Sequence, residues 1–169
     1  LGDHWLGEKD LFHECSVKVP LLIYDPSPEA DATRGTVCDA LVEAIDLAPT
    51  FLEYFGGTVP SHIFEGRSLG PLLRGTSPSA WRGHVFSEYD YGMMEPRVTL
   101  GTPLRDCRLF MVFDGRYKMM HAVGYRPMLF DLESDPNELN DRGNDPSLES
   151  VRTRLHEALV HWSLTGHNH

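Results

Sequence analysis

No apolar run in this chain approaches the ~20 residues that a bilayer-spanning helix needs. Basic charge is scarce as well. Only 15 Lys and Arg stand against 25 Asp and Glu, for a formal net charge of -10 and a pI near 5.3. A surface for nucleic acid, which needs a field of Lys and Arg, is thereby excluded. Cysteine is thin too. Cys15, Cys38 and Cys107 are too few and too scattered for a disulfide framework or a C-x-x-C metal knuckle. The nine His residues never fall into the H-x-x-x-H spacing that sets two imidazoles on one helix face. Core material is not lacking. A hydrophobic content of 41% over 169 residues is enough for a packed domain.

The first continuous apolar run is "VKVPLLIY" (17–24), the pattern of a strand buried on both faces. Val37, Leu41, Val42 and Ile45 recur at helical spacing and predict an amphipathic helix over 37–47. Pro49 can open a second helical segment, which Gly56-Gly57 ends, and a short helical turn is expected near 69–74. The pattern then changes. Residues 84–90, 107–115, 116–123 and 127–136 read as short strands, with Asp114-Gly115 as a hairpin turn between two of them. Leu148, Val151, Leu155, Leu159 and Trp162 step by 3, 4, 4 and 3, one face of a closing helix. Met93-Met94 and Met119-Met120 read as packing residues. The order is α+β: a strand and helices, then an antiparallel group of strands that the last helix covers on one face. The seam is expected near 75–83. A buried-type strand at 17–24 has no partner nearby, so it must pair with a sheet upstream or with another copy of the chain.

Six phrases, in this order, carry a resemblance: "LGDHWLGEK", "VKVPLLIYDP", "AIDLAPTFLEYFG", "FEGRSLGPLLRG", "GRYKMM" and "LFDLESDPNELND". They span the chain from Leu1 to about Trp162. Together they resemble the sulfatase branch of the alkaline-phosphatase superfamily, in the group of arylsulfatases and phosphonate monoester hydrolases. The resemblance implies the C-terminal part of an alkaline-phosphatase-like α/β fold, with a small antiparallel sheet packed by a C-terminal helix. It places residues 1–80 at the end of the large catalytic domain and 81–169 in a small C-terminal α+β subdomain. It implies hydrolysis of a sulfate, phosphonate or phosphate ester. In the intact enzyme a formylglycine nucleophile and a divalent cation (Ca, Mg or Mn) would supply the chemistry, in the general manner of metal-assisted attack on an ester.

The chain departs from that pattern at the nucleophile. Its cysteines read "CSVK", "CDAL" and "CRLF", and none opens a Cys-x-Pro-x-Arg motif. The metal-binding Asp-His-Gly would precede Leu1. The expectation is therefore a C-terminal fragment, inactive alone and binding no cofactor, whose partner is the missing N-terminal catalytic part. By its position after "LGDHW", Lys9 matches the family lysine, so the resemblance implies that it is catalytic and contacts the substrate oxyanion, a role a compact ammonium suits. Asp3 and His4 imitate a metal-binding Asp-His pair, but Trp5 follows where Gly should stand. They are expected to pack behind the site and support it. His13 and Glu14, as immediate neighbours, are not expected to converge on one ion. The alternative reading is a non-catalytic domain that self-associates through an exposed strand edge, and a homo-oligomer is compatible with either.

Overall fold

The computed structural model describes residues 4, 11–76, 78 and 80–165; Asp3 and Lys9 lie outside these. The chain forms two units. One joins the N-terminal stretch up to Pro20 to Phe86–Thr165, and the other is Leu21–Val85.

The first unit is built on a four-stranded sheet in the order β1-β2-β3-β4. The strands are β1 (Val85–Asp90), β2 (Arg108–Phe113), β3 (Tyr117–Ala122) and β4 (Met128–Asp131), and the last two ladders are antiparallel. Met111 faces Met120, and Met119 faces Leu129. The β2–β3 turn is the expected Asp114-Gly115. The Asp114 carboxylate accepts the N–H groups of Arg116 and Tyr117, and Gly115 takes a φ of 97° that a side chain would resist.

Alternation along these strands sorts the apolar residues onto two faces. Val112, Met119 and Leu129 point to one face, where Leu155 and Leu159 of the closing helix α5 (Glu149–Thr165) complete a core. Leu109, Met111, Met120 and Phe130 point to the other, and Phe12 packs there with Leu11 and Val17. Both faces are thus covered. The helix was legible from its period. The second cover is the N-terminal stretch itself, ending in the single turn α1 (Glu14–Val17), which no periodicity announces. The helix α4 (Glu95–Leu100) was also not anticipated, although Pro96 in its first turn and Gly101 at its left-handed cap (φ 65°) bracket it.

In the second unit the helices are α2 (Leu47–Tyr54) and α3 (Gly70–Leu73), with 3-10 turns at Pro28–Ala30 and Ala44–Asp46. Its centre is polar. Asp46 is fully buried and accepts from the N–H of Arg67 (2.7 Å), the N–H of Glu43 (2.8 Å) and both ends of the Arg82 guanidinium. Thr50 continues the network, donating to the Asp46 carbonyl at 2.5 Å and accepting from the Leu69 N–H at 2.8 Å. A Cβ at position 66 would overlap the Ile45 carbonyl, which accounts for Gly66 beside this hub.

Two expectations are corrected here. Residues 37–47 do not form one helix; within them only Ala44–Asp46, as a 3-10 turn, and Leu47, the first residue of α2, are helical. The reason is a capping box. Glu43 is extended, and it and Asp46 satisfy each other's N–H groups, so the helical region starts at this point and cannot extend upstream. Residues 17–24 do not form a strand either, and Leu22 and Tyr24 are 90% and 75% exposed. A strand exists through its neighbours, and no described residue pairs with this one. Among the described residues no helix is long and apolar enough to cross a membrane.

Candidate functional site

The sheet face covered by the N-terminal stretch holds the densest polar cluster of the first unit. Lys118 lies on this face of β3, opposite Phe130 on β4, with only 1% of its surface exposed. A buried ammonium is tolerable only when its donors are used. Here Nζ donates to the Phe12 carbonyl (3.0 Å), to Glu14 Oε1 (2.5 Å) and to Glu138 Oε1 (3.0 Å). The other Glu138 oxygen accepts the backbone N–H of Glu14 at 2.6 Å. Glu138 reaches this position from a turn that Asp135 organises, its carboxylate accepting the N–H groups of Leu139 and Asn140.

His13 lies beside these charges. Its ring is buried and meets Phe130 edge-on at 5.8 Å. Its Nδ1 lies 3.4 Å from Glu138 Oε2 but makes no aligned hydrogen bond. The His4 ring stacks on the opposite side, with centroids 3.7 Å apart and planes within 6°. Among the described residues His4 (φ 52°) and Glu138 (φ 54°) are the non-glycine residues in the left-handed region, and both touch His13. Such a backbone costs on the order of 1 kcal/mol per residue and persists where the surroundings impose it.

Burial by itself would raise the Glu138 carboxyl. His13, the Glu14 N–H and the Lys118 ammonium outweigh that effect and hold its pKa at about 2. Glu138 is accordingly a permanent anion at neutral pH.

His4, His13 and Glu138 offer three ligand atoms within 4.8 Å of one another, the only such group of His, Cys, Asp and Glu among the described residues. It does not fit the divalent cation that the sulfatase resemblance implies. Ca, Mg and Mn seek six or more oxygen ligands, and this group has two nitrogens and one carboxylate. Parallel stacked rings aim their nitrogen lone pairs side by side instead of at a common point. The Lys118 ammonium already occupies one Glu138 oxygen. The cluster is a buried ion-paired joint, and its donor set does not suit a hard divalent cation.

Of the residues singled out from sequence, His4 is described and its ring stacks on that of His13; Asp3 and Lys9 lie outside the described residues. His13 and Glu14 do meet at one place, but around Lys118 and Glu138, which sequence reading placed only in recurrent phrases. The signal for them was a charged residue at an inward strand position in "GRYKMM" and an acid in "DPNELND".

Other polar groupings are weaker. His121 of β3 and His156 of α5 approach to 5.7 Å beside a groove of about 410 Å³ that Arg152 and Glu157 also line. Burial and the neighbouring His156 hold the His121 pKa below its ordinary value. In the second unit Tyr54 donates to Asp25 beside a cleft of about 440 Å³ lined by Glu29, Glu53 and Arg74. Burial, with the Asp25 carboxylate, pushes the Tyr54 hydroxyl up to about 12. Gly66-Arg67-Ser68-Leu69-Gly70 has the spacing of a nucleophile elbow, but an elbow needs a strand leading into the turn. No described strand precedes it, and Ser68 Oγ accepts the Gly70 N–H at 3.1 Å to shape the start of α3.

Residues 2–164 match the family described as N-sulphoglucosamine sulphohydrolase, C-terminal. The chain is 32% identical over 168 residues to a multifunctional alkaline phosphatase superfamily protein of Trinickia caryophylli, covering 98% of this chain and 32% of that protein. It is 28% identical over 160 residues to an arylsulfatase of Clostridium perfringens, covering 95% of this chain and 30% of the relative. In structure it is similar to the phosphonate monoester hydrolase of Agrobacterium radiobacter, with a TM-score of 0.69 and 31% identity over 77% of this chain and 26% of that one. The chain spans about a third of the length of the curated relatives it matches. With an α+β fold that aligns on an alkaline-phosphatase-like hydrolase and a family match running almost end to end, this chain belongs to the C-terminal sulphohydrolase family, in the sulfatase branch of the alkaline-phosphatase superfamily.

Proposed function

We propose that this chain is the C-terminal part of a metal-dependent hydrolase of sulfate, phosphonate or phosphate esters. The observation that carries the reading is the family match over residues 2–164, joined to relatives named as an arylsulfatase and a phosphonate monoester hydrolase. In this reading residues 1–80 close the large catalytic domain and 81–169 form the small subdomain. Lys9 donates to the oxyanion of the ester in its transition state, where a hydrogen bond to developing charge counts most. The nucleophile and the divalent cation come from residues outside this chain, since no Cys here opens Cys-x-Pro-x-Arg and the described His–carboxylate cluster does not suit a hard cation. Residues 1–169 alone are inactive.

The test compares the complete gene product with residues 1–169 on an aryl sulfate, an aryl phosphonate monoester and an aryl phosphate. The complete protein is expected to turn over at least one, and Lys9→Ala to lower its kcat/KM by a factor of about 100 or more. Turnover by residues 1–169 alone would refute the division of labour. The exposed apolar side chains at 19–24 also fit a second reading, self-association without catalysis. Inactivity of the complete protein toward all three esters, with concentration-dependent association, would favour that reading instead.

A further inference from the structure

We infer that His4, His13 and Glu138 form a site for a borderline transition-metal ion of the zinc class, whether or not the hydrolase reading above holds. Two imidazoles and one carboxylate make a donor set that zinc accepts, with one tetrahedral position left for water or another ligand. The ligand atoms of the three residues lie within 4.8 Å of one another. Nitrogen donors that are wrong for Ca, Mg or Mn are right for an ion of this softness.

The contact between His13 and Glu138 points to the metal most directly. Nδ1 of His13 has no hydrogen-bond partner among the described residues, although only 8% of the side chain is exposed. It faces Glu138 Oε2 at 3.4 Å, without the alignment of a hydrogen bond. That separation matches two ligands on one tetrahedral zinc, which stand about 3.3–3.4 Å apart when each bond is about 2.0–2.1 Å. The two ligands are also held from outside, as metal ligands need to be. Lys118 takes Glu138 Oε1 at 3.0 Å and the Glu14 N–H donates to Oε2 at 2.6 Å, which leaves a second lone pair on Oε2. The His13 ring lies edge-on against Phe130. His4 completes the set. Its ring is parallel to that of His13, so coordination requires a turn about its side-chain torsions that brings one nitrogen to about 3.4 Å from the other ligands. His4 and Glu138 both present their side chains to His13 from left-handed backbone, and strain of this kind gathers at ligand clamps. Charge favours a cation here as well. Two carboxylates, Glu14 and Glu138, meet one buried ammonium, while the Lys18 that also approaches Glu14 is 80% exposed.

The experiment is a zinc titration of the complete gene product by calorimetry, with Ca and Mg in excess to fill any site for a hard cation. The parent is compared with His4→Phe, which keeps a ring for the stack, and with His13→Phe, which keeps a ring against Phe130. The parent is expected to bind one zinc ion that each variant binds at least about 10-fold more weakly, since even groups behind the ligands count for 10- to 100-fold. Zinc should raise the melting temperature of the parent and not of the variants. Cobalt(II) in place of zinc should give the parent the strong visible absorption of a tetrahedral site, and the variants should lose it. His4→Phe decides alone if His13→Phe does not fold. A parent that binds no zinc beyond what a folded variant binds overturns the inference. So does a zinc site that Ca or Mg fills equally well, because the nitrogen donors would then play no part. Ester hydrolysis is not read in any arm, so the hydrolase reading stands or falls separately.

Discussion

On the helix side of its sheet the first unit buries Val112, Met119, Leu129 and Leu155 completely; in Leu21–Val85 the large side chains buried to the same degree are Asp46 and Pro49. Apart from Ala30 and Leu69, which are buried, many apolar residues of that second unit face outward, with Leu22, Val37 and Phe55 exposed by 90%, 88% and 89%. One unit is organised by hydrophobic burial on two sheet faces. The other is organised by charge-assisted hydrogen bonds converging on a carboxylate. Each also holds a buried, charge-paired hub: Lys118 with two acids in the first, Asp46 with Arg82 and two N–H groups in the second. The difference teaches that an ordered backbone does not require a core of its own, provided polar groups are fully paired. It also marks where unsatisfied apolar surface remains available to neighbouring chain.

The sharpest way to break the comparison is Lys118→Met. The substitution fits the apolar surroundings but leaves the buried Glu138 carboxylate without its cation and Glu14 with only the exposed Lys18. A loss of about 3–5 kcal/mol is expected in urea denaturation, since removing one member of a buried pair strands the other. A loss under about 1 kcal/mol would mean that the hydrophobic faces alone hold the first unit.

Acid comes next. The folded Glu138 carboxyl titrates near 2, below its ordinary 4.5. A depressed carboxyl adds stability that is fully present above pH 4.5 and is lost as pH falls through about 2. The amount at stake is on the order of 3 kcal/mol. Glu138→Gln should be less stable at pH 7 and should flatten that part of the pH dependence. A variant whose stability falls between pH 4.5 and 2 as steeply as the parent's would assign the acid sensitivity elsewhere.

The smallest effect is expected at Phe55→Ser. An exposed side chain that touches no core should change the stability of residues 1–169 by less than about 0.5 kcal/mol, measured by thermal melting. A larger loss would show that the outward apolar residues of the second unit stabilise the chain by itself.

Legibility from sequence follows the same division. The four strands, their Asp114-Gly115 turn and the closing helix were readable because alternation and helical period record which face is buried, and in the first unit that burial occurs within the chain. The helix expected over 37–47 failed because Val37 and Ile45 are exposed instead of lying on one buried face with Leu41 and Val42, while the Glu43–Asp46 capping box sets the start downstream. The site was half legible. Its family phrases and the importance of "LGDHWLGEK" could be read directly. The meeting of His13, Lys118 and Glu138 could not, because contacts between residues 20 or more positions apart leave no local pattern.

The order of the motifs, the acidic surface and the two-faced strands were determined by the amino-acid sequence alone, since each depends on residue type and short-range spacing. Only the tertiary structure decided that Leu11–Val17 cover the second face of the sheet, that a buried lysine joins them to a distant turn, and that the His4 and His13 rings stack. Those facts depend on where the folded sheet brings remote segments together, and desolvation then makes each pairing obligatory once made.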